Sequence, residues 1–413
     1  MRLGLPWRLP FYKPLNGPHP LVESFVRDHP RVGTVDCDPA VPAGFDFTDR
    51  LLPALCRRTR LIAERQTRGY VIALDPLGQA CIEAPDPRYD ALFTHTTPLY
   101  LGAQPWIFHF ESIPTVFHPF LETGNTAGVA LRKQGFFSMV AETLASASCR
   151  AIFTHMQSSR DIMARLFDDP RIDAKLHHVP LGIDTLDDAA ALGKFAVDGP
   201  LRILFTNSLH QNPISFFLRG GHHLLQAYGQ LRAEGVDVEL TVISSLPDGS
   251  AARAPAGKVD GLTWIQERVS DAELGRLLRE HHLFALPAAG LHSFSLLRAL
   301  AHGCVPIVSD ALGYEEYTSA IADSVFPVRG VRSLVYRDEP DGWVSDRYAE
   351  FLKPSADFSG QIRTALLAAR DRLRLRAMAG RNLAYCRQRH DPALAQDCFY
   401  RSIRGHFPEM HPA

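Results

Sequence analysis

Between Leu283 and Asp310 the chain reads LFALPAAGLHSFSLLRALAHGCVPIVSD, and Gly290, His292, Ser293, Phe294, Ser295, Leu296 and Arg298 in its middle are the residues best placed to do chemistry. An apolar run ends at the glycine, small and polar residues follow, and Leu296, Leu297, Leu300 and Ala301 then recur at helical spacing. A turn of this kind presents backbone N–H groups at a helix N-terminus, where unmade hydrogen bonds and the helix dipole favour an anion. Ser293 and Ser295 add hydroxyl donors or cap the helix, and His292 can hydrogen-bond hydroxyl groups of a ligand. Arginine has donors and no acceptor, so Arg298 either binds an anion or faces solvent. A second pair, His109 and Glu111, stands at i and i+2 at the end of the run Pro105–Phe110, and both point to one face of a strand. Glu111 is the better placed carboxylate where a general base is needed. A single strand histidine is also often a satisfied core group.

These residues need strands and helices to hold them. Gly303 stops the helix, and Val305 to Val308 is a second short apolar run, so the stretch is strand, loop, helix, strand. In an open parallel sheet ligands sit at the carboxyl ends of strands, where this loop lies. Upstream, strands are expected at Arg2–Leu5, Tyr70–Leu74, Asp90–Thr94, Pro105–Phe110, Ala151–Thr154 and His177–Val179, with helices at Phe136–Ser148 and Ser158–Phe167. The alternation means a parallel α/β sheet. It restarts with a strand at Leu201–Thr206, a helix at His222–Glu234, and strands at Val238–Ser244 and Leu262–Gln266. Ser270 and Glu273 form a capping box for a helix over Asp271–His281. From Ser345 onward the pattern is helical, with Asp391–Pro392 opening the last helix.

Pro287, Gly290, the Leu296–Leu297–x–Ala299–Leu300–Ala301 helix, Gly303, Pro306 and Ser309–Asp310 together resemble the donor-binding motif of GT-B glycosyltransferases. The likeness is greatest to the large retaining family that includes bacterial mannosyl- and glucosyltransferases of cell-surface glycans, with some similarity to the second domain of exostosin-type transferases. Leu181–Gly182–Ile183–Asp184 resembles that family's interdomain link. The resemblance implies two doubly wound, Rossmann-like α/β domains facing a cleft. These are an acceptor domain over 1–184 and a nucleotide-sugar donor domain over 185–390, with a C-terminal helix over 391–413 crossing back to the first.

The family places an arginine and a lysine after the first strand of the second domain, the lysine just before a glycine. Arg219–Gly220 takes the Lys–Gly place, and Ser208 stands near that of the arginine. The resemblance thus makes Arg219 the cation for the leaving phosphate, with Phe216–Phe217 able to fold over the donor. It sets Arg268 beside the nucleobase and Asn16–Gly17 on the acceptor side, and puts His109 where a histidine faces the donor sugar. Glu111 would serve as base if transfer inverted. The family's two glutamates are replaced here by Gly290 and Arg298, so a ribose is held otherwise, or Arg298 binds phosphate or a sugar carboxylate.

With 413 residues, 46% apolar and 22% charged, the chain has globular composition and room for two domains. A net charge of −1 gives no case for a nucleic-acid partner. The seven cysteines show no paired spacing, and the start lacks an apolar signal core, which together suggest reduced thiols in the cytoplasm. The eighteen histidines, adjacent pairs included, do not have metal-ligand spacing. A basic stretch over 49–68 reads as a solvated helix face or as peripheral contact with anionic lipid at the inner face of the membrane.

The expected function is metal-independent, cofactor-free and retaining transfer of a sugar from a nucleotide-sugar donor to a glycan or lipid-linked acceptor, in cell-surface polysaccharide or glycoconjugate biosynthesis. Two rivals stand beside it, a non-catalytic GT-B-like scaffold or partner and a nucleotide-sugar epimerase.

Overall fold

The computed structural model describes residues 1–6, 20–37, 86–95, 100, 102–117, 129–207, 214–245, 261–338, 344–346 and 348–407. Asn16, Gly17, the basic stretch over 49–68 and the expected strand Tyr70–Leu74 lie outside the described residues. The chain divides into two compact units. One comprises Met1–Gly182 with Asp338–Asp346 and Pro392–Ala413, and the other Ile183–Arg337 with Arg347–Asp391.

The first unit holds a parallel sheet of β1 (Arg2–Leu5), β2 (Gly33–Asp36), β3 (Ala91–His95), β4 (Trp106–His109), β5 (Cys149–Thr154) and β6 (Leu176–His178), in the order β2-β1-β3-β4-β5-β6. The inner strands β3 and β4 are buried along their whole length, as a sheet covered on both faces requires. β2 was not expected. Its GTVD is mostly exposed, and an edge strand without apolar alternation leaves little sequence signal. Helix α1 (Gln157–Phe167) follows β5.

The last helix, α2 (Pro392–Arg404), packs within this unit, as the GT-B pattern implied. Phe399 is its anchor. The ring stacks on Phe25 with centroids 5.5 Å apart and meets Phe153 edge-on at 5.2 Å, a favoured aromatic geometry. Gly182 must be glycine for this seat, because a Cβ there would lie 2.7 Å from the Pro392 Cα.

The second unit repeats the plan. Its sheet is β7 (Leu201–Thr206), β8 (Val238–Ile243), β9 (Leu262–Ile265), β10 (Leu283–Leu286), β11 (Val305–Ser309) and β12 (Phe326–Val328), all parallel, in the order β12-β11-β10-β7-β8-β9. The chain winds outward from β7 in one direction and then from β10 in the other. The boundary between β7 and β10 is therefore the topological switch point, where the loops beyond the strand ends diverge and leave a crevice.

The expected capping box is half present. The Ser270 hydroxyl accepts from the Glu273 N–H at 3.1 Å, but the Glu273 carboxylate is taken by Arg276 at 2.6 Å. Lys194, buried, ties two helix ends together by donating to the Leu278 and His302 carbonyls at 2.9 and 3.0 Å. A cation at C-terminal carbonyls is favourable to the helix dipole.

Candidate functional site

The site is built from two loops of the second unit, one leaving β7 and one leaving β10. The first ends in a short helix, Ser215–Leu218, then Arg219 and Gly220, and helix Gly221–Ala233 begins at once. Gly220 adopts a φ of +76°, and a Cβ there would stand 2.2 Å from the Pro287 carbonyl oxygen. The second loop runs from Pro287 to His292 and enters the nine-residue helix Ser293–Ala301. The two loops are stitched together, with the Ala289 N–H donating to the Leu218 carbonyl at 2.7 Å. From the other side the Ser309 hydroxyl donates to the Ala288 carbonyl. Asp310 holds the next loop, accepting from the Gly330 and Val331 amides at 2.9 Å each.

This bracing brings Arg219 close to the Gly290–Ser295 turn. The His292 imidazole is pushed well below its ordinary pKa, first by burial and then by the Arg219 charge. The residue as a whole stays partly exposed. His292 is thus a neutral hydrogen-bonding group beside a cation. Its side chain does not cap the helix that it precedes. Ser293, Phe294 and Leu296 are buried as the helix turns inward, while Ser295 and Gly290 are partly exposed. Ser293 and Ser295 lie inside the helix rather than at its N-cap. A cation, a neutral imidazole and the start of a helix at a switch point make a place for an anion carried by a hydroxyl-rich ligand.

Other expected residues fall elsewhere. Arg298, partly buried, forms an ion pair with the exposed Asp271. Both terminal nitrogens of its guanidinium reach the same Asp271 oxygen at 3.0 Å, and Asp271 is 72% exposed. Surface pairs contribute little. Arg298→Ala should change thermal stability by less than about 1 kcal/mol and leave anion affinity unaltered in a calorimetric titration. A large loss of affinity would return Arg298 to the site. Phe216 is corrected. It is 1% exposed, packed on Phe205 and Trp264, and belongs to the core rather than to a cover. Arg268 is exposed beyond β9, the edge strand, two strands or roughly 10 Å from β7 at the usual strand spacing.

In the first unit His109 is not a solitary strand histidine. It is fully buried, its Nδ1 lies 2.8 Å from His95 Nδ1, and its Nε2 lies 3.1 Å from His155 Nδ1. A neutral imidazole has one donor and one acceptor nitrogen, so the three rings align in single file, each donating in the same direction. Both nitrogens of His109 are engaged inside the protein, which corrects the expectation that it faces a sugar. Burial pushes His95 down to about 3. Glu111 is partly exposed just past the end of β4, and its carbonyl accepts from the Thr154 hydroxyl at 3.3 Å. The adjacent registers His95↔His109 and His109↔Phe153 assemble the chain of rings from three strands, which no local motif could signal.

Known structures share this architecture. The Anabaena protein HepE (Alr3699) in complex with UDP and glucose matches with a TM-score of 0.58 over 98% of this chain and 99% of that one, at 13% identity. WaaG, a glycosyltransferase involved in lipopolysaccharide biosynthesis, matches with a TM-score of 0.58 over 98% and 100%, also at 13% identity. A UDP-forming trehalose-phosphate synthase from Burkholderia xenovorans matches with a TM-score of 0.53 over 87% and 86%, at 12% identity. No protein-family model matches the sequence, and no curated protein matches it. The likeness is one of fold: two doubly wound units with a returning last helix, the GT-B architecture. No helix among the described residues is long and apolar enough to cross a membrane.

Proposed function

We propose that this chain is a glycosyltransferase that moves a sugar from a nucleotide-sugar donor to a glycan or lipid-linked acceptor. One observation carries the reading. The Arg219–Gly220 turn and the Gly290–Ser293 turn are locked together at the β7/β10 switch point, so a guanidinium and a helix start converge where a GT-B donor's diphosphate belongs. The structural neighbours with bound UDP and UDP-glucose favour a uridine diphosphate leaving group.

In the reaction the bond from the sugar's anomeric carbon to the diphosphate oxygen breaks, and the acceptor oxygen bonds to that carbon. Negative charge grows on the departing phosphate. Arg219 and the amides opening the helix at Ser293 stabilise it by preorganised hydrogen bonds. The acceptor's proton passes to a departing phosphate oxygen, so the retaining course needs no protein base. An inverting course would call on Glu111. Arg219 and the amides supply the positive field, so the reading calls for neither metal nor cofactor. His292, kept neutral, hydrogen-bonds sugar hydroxyls without competing for the phosphate. The pathway that fits is surface polysaccharide or glycoconjugate synthesis in the cytoplasm, and any peripheral membrane contact would fall to the stretch 49–68.

The test is calorimetric titration of UDP, GDP, CMP and dTDP into the whole chain, then of the bound nucleotide into Arg219→Ala. Loss of a charged hydrogen bond should weaken affinity by about 1.5–3 kcal/mol, roughly 10- to 150-fold. Full affinity in the variant contradicts the role of Arg219. Binding of none of the four favours the non-catalytic scaffold, a reading that Gly290 and Arg298 support by standing where the related family keeps two acids. Slow hydrolysis of a bound nucleotide-sugar supports transfer over epimerisation.

A further inference from the structure

Asn207 directly follows β7 at the same switch point, and it is 7% exposed. Its backbone N–H continues the ladder to the Ile243 carbonyl at 2.7 Å. Its side-chain Nδ2 donates to the Ser244 hydroxyl oxygen at 3.1 Å. Ser244, fully buried at the end of β8, gives its own hydrogen to the Ser245 carbonyl at 2.9 Å. The hydroxyl has one hydrogen, so toward Asn207 it can only accept. That fixes which way round the carboxamide stands. Its oxygen, Oδ1, is left as a buried acceptor with no partner among the described residues. Buried acceptors are rarely left unmatched, and one at a switch point marks a place for a ligand's donor.

We infer that Asn207 Oδ1 accepts a hydrogen bond from an O–H or N–H of the bound nucleotide-sugar, from its nucleoside or its sugar and not from its phosphates. The inference rests on the donor site proposed above. Phosphate oxygens at neutral pH only accept, so they cannot satisfy this atom. It would also supply one of the acceptors that Arg298 cannot. Sequence reading passed over Asn207; the available signal was a polar residue closing the first strand of the second unit.

The test uses UDP, UDP-glucose and inorganic pyrophosphate, each titrated calorimetrically into the whole chain and into Asn207→Leu, a variant of similar size without the amide. Relieving an unmatched acceptor offsets the lost bond to Ser244, so the ligand-free variant should melt at or near the temperature of the natural chain. UDP affinity should fall about tenfold while pyrophosphate affinity holds, which assigns the contact to the nucleoside. A fall for UDP-glucose alone assigns it to the sugar. Equal affinity of both proteins for all three overturns the inference and leaves the donor site standing. An equal fall for pyrophosphate overturns it as well, because the variant then disturbs the phosphate site. Failure of the natural chain to bind any of UDP, GDP, CMP and dTDP removes the donor site and this inference together, and if one of the others binds in place of UDP, the same comparison runs with that nucleotide and its sugar conjugate.

Discussion

Gly220→Ala is expected to lower the stability of the second unit by about 3 kcal/mol or more and to weaken UDP binding by over about 100-fold. Two costs combine. A φ of +76° is left-handed, which costs a residue with a Cβ about 1–2 kcal/mol. The new Cβ would also stand 2.2 Å from the Pro287 oxygen and 2.9 Å from its carbonyl carbon, both backbone atoms. The two turns must then part, which breaks the Ala289–Leu218 hydrogen bond and carries Arg219 away from His292. In a thermal melt the loss is roughly 6–12 °C for a unit of this size. Gly229→Ala is the control. Gly229 lies within the helix Gly221–Ala233 with open space where its Cβ would be, so alanine there should stabilise by about 0.5–1 kcal/mol. Equal melting of the two variants, with UDP binding intact, would refute the bracing of the site.

Acidification should unfold the chain well before its carboxylates titrate. Burial is the chief cause that depresses His95 and His282 to about 3, and His223 and His281 to about 4. Between those values and the unfolded 6.5, the unfolded chain holds more protons than the folded one, so stability rises with pH. The contribution is whole above pH 6.5 and is lost as pH falls toward the folded values. At pH 5 each such histidine has removed about 2 kcal/mol.

His282 shows the structural cause. Its Nδ1 accepts from the Arg202 N–H at 3.0 Å, and its Nε2 lies 3.1 Å from the Lys194 carbonyl. A proton on Nδ1 would set two N–H groups face to face beside the β7/β10 pairing. Two such histidines in the second unit remove about 4 kcal/mol at pH 5, a large share of the usual 5–15 kcal/mol for a domain. Urea unfolding at pH 7, 6 and 5 should show the loss, and His282→Gln should flatten the slope by about 1.4 kcal/mol per pH unit. Level stability from pH 7 to 5 contradicts the buried-neutral assignment.

The strands of the second unit were legible because they are continuous apolar runs bounded by Gly, Pro or Asp, and burial on both faces demands that composition. β12 was missed because three residues, one of them Pro327, carry no periodicity. The anion turn was legible from Gly290 to Ser295, since a helix start is a local feature. The partner of Arg298 was not, because Asp271 comes from another helix 27 positions away. The three-ring chain of His95, His109 and His155 and the unmatched buried oxygen of Asn207 depend on strand registers and on which hydrogen each hydroxyl spends. Neither is written in the order of residues.

A crystal of the whole chain soaked with UDP tests the donor site most directly. The diphosphate should lie with oxygens about 2.7–3.2 Å from the Arg219 guanidinium and from the amides that open the helix at Ser293. A diphosphate bound elsewhere, with Arg219 and that turn untouched, contradicts the proposed activity.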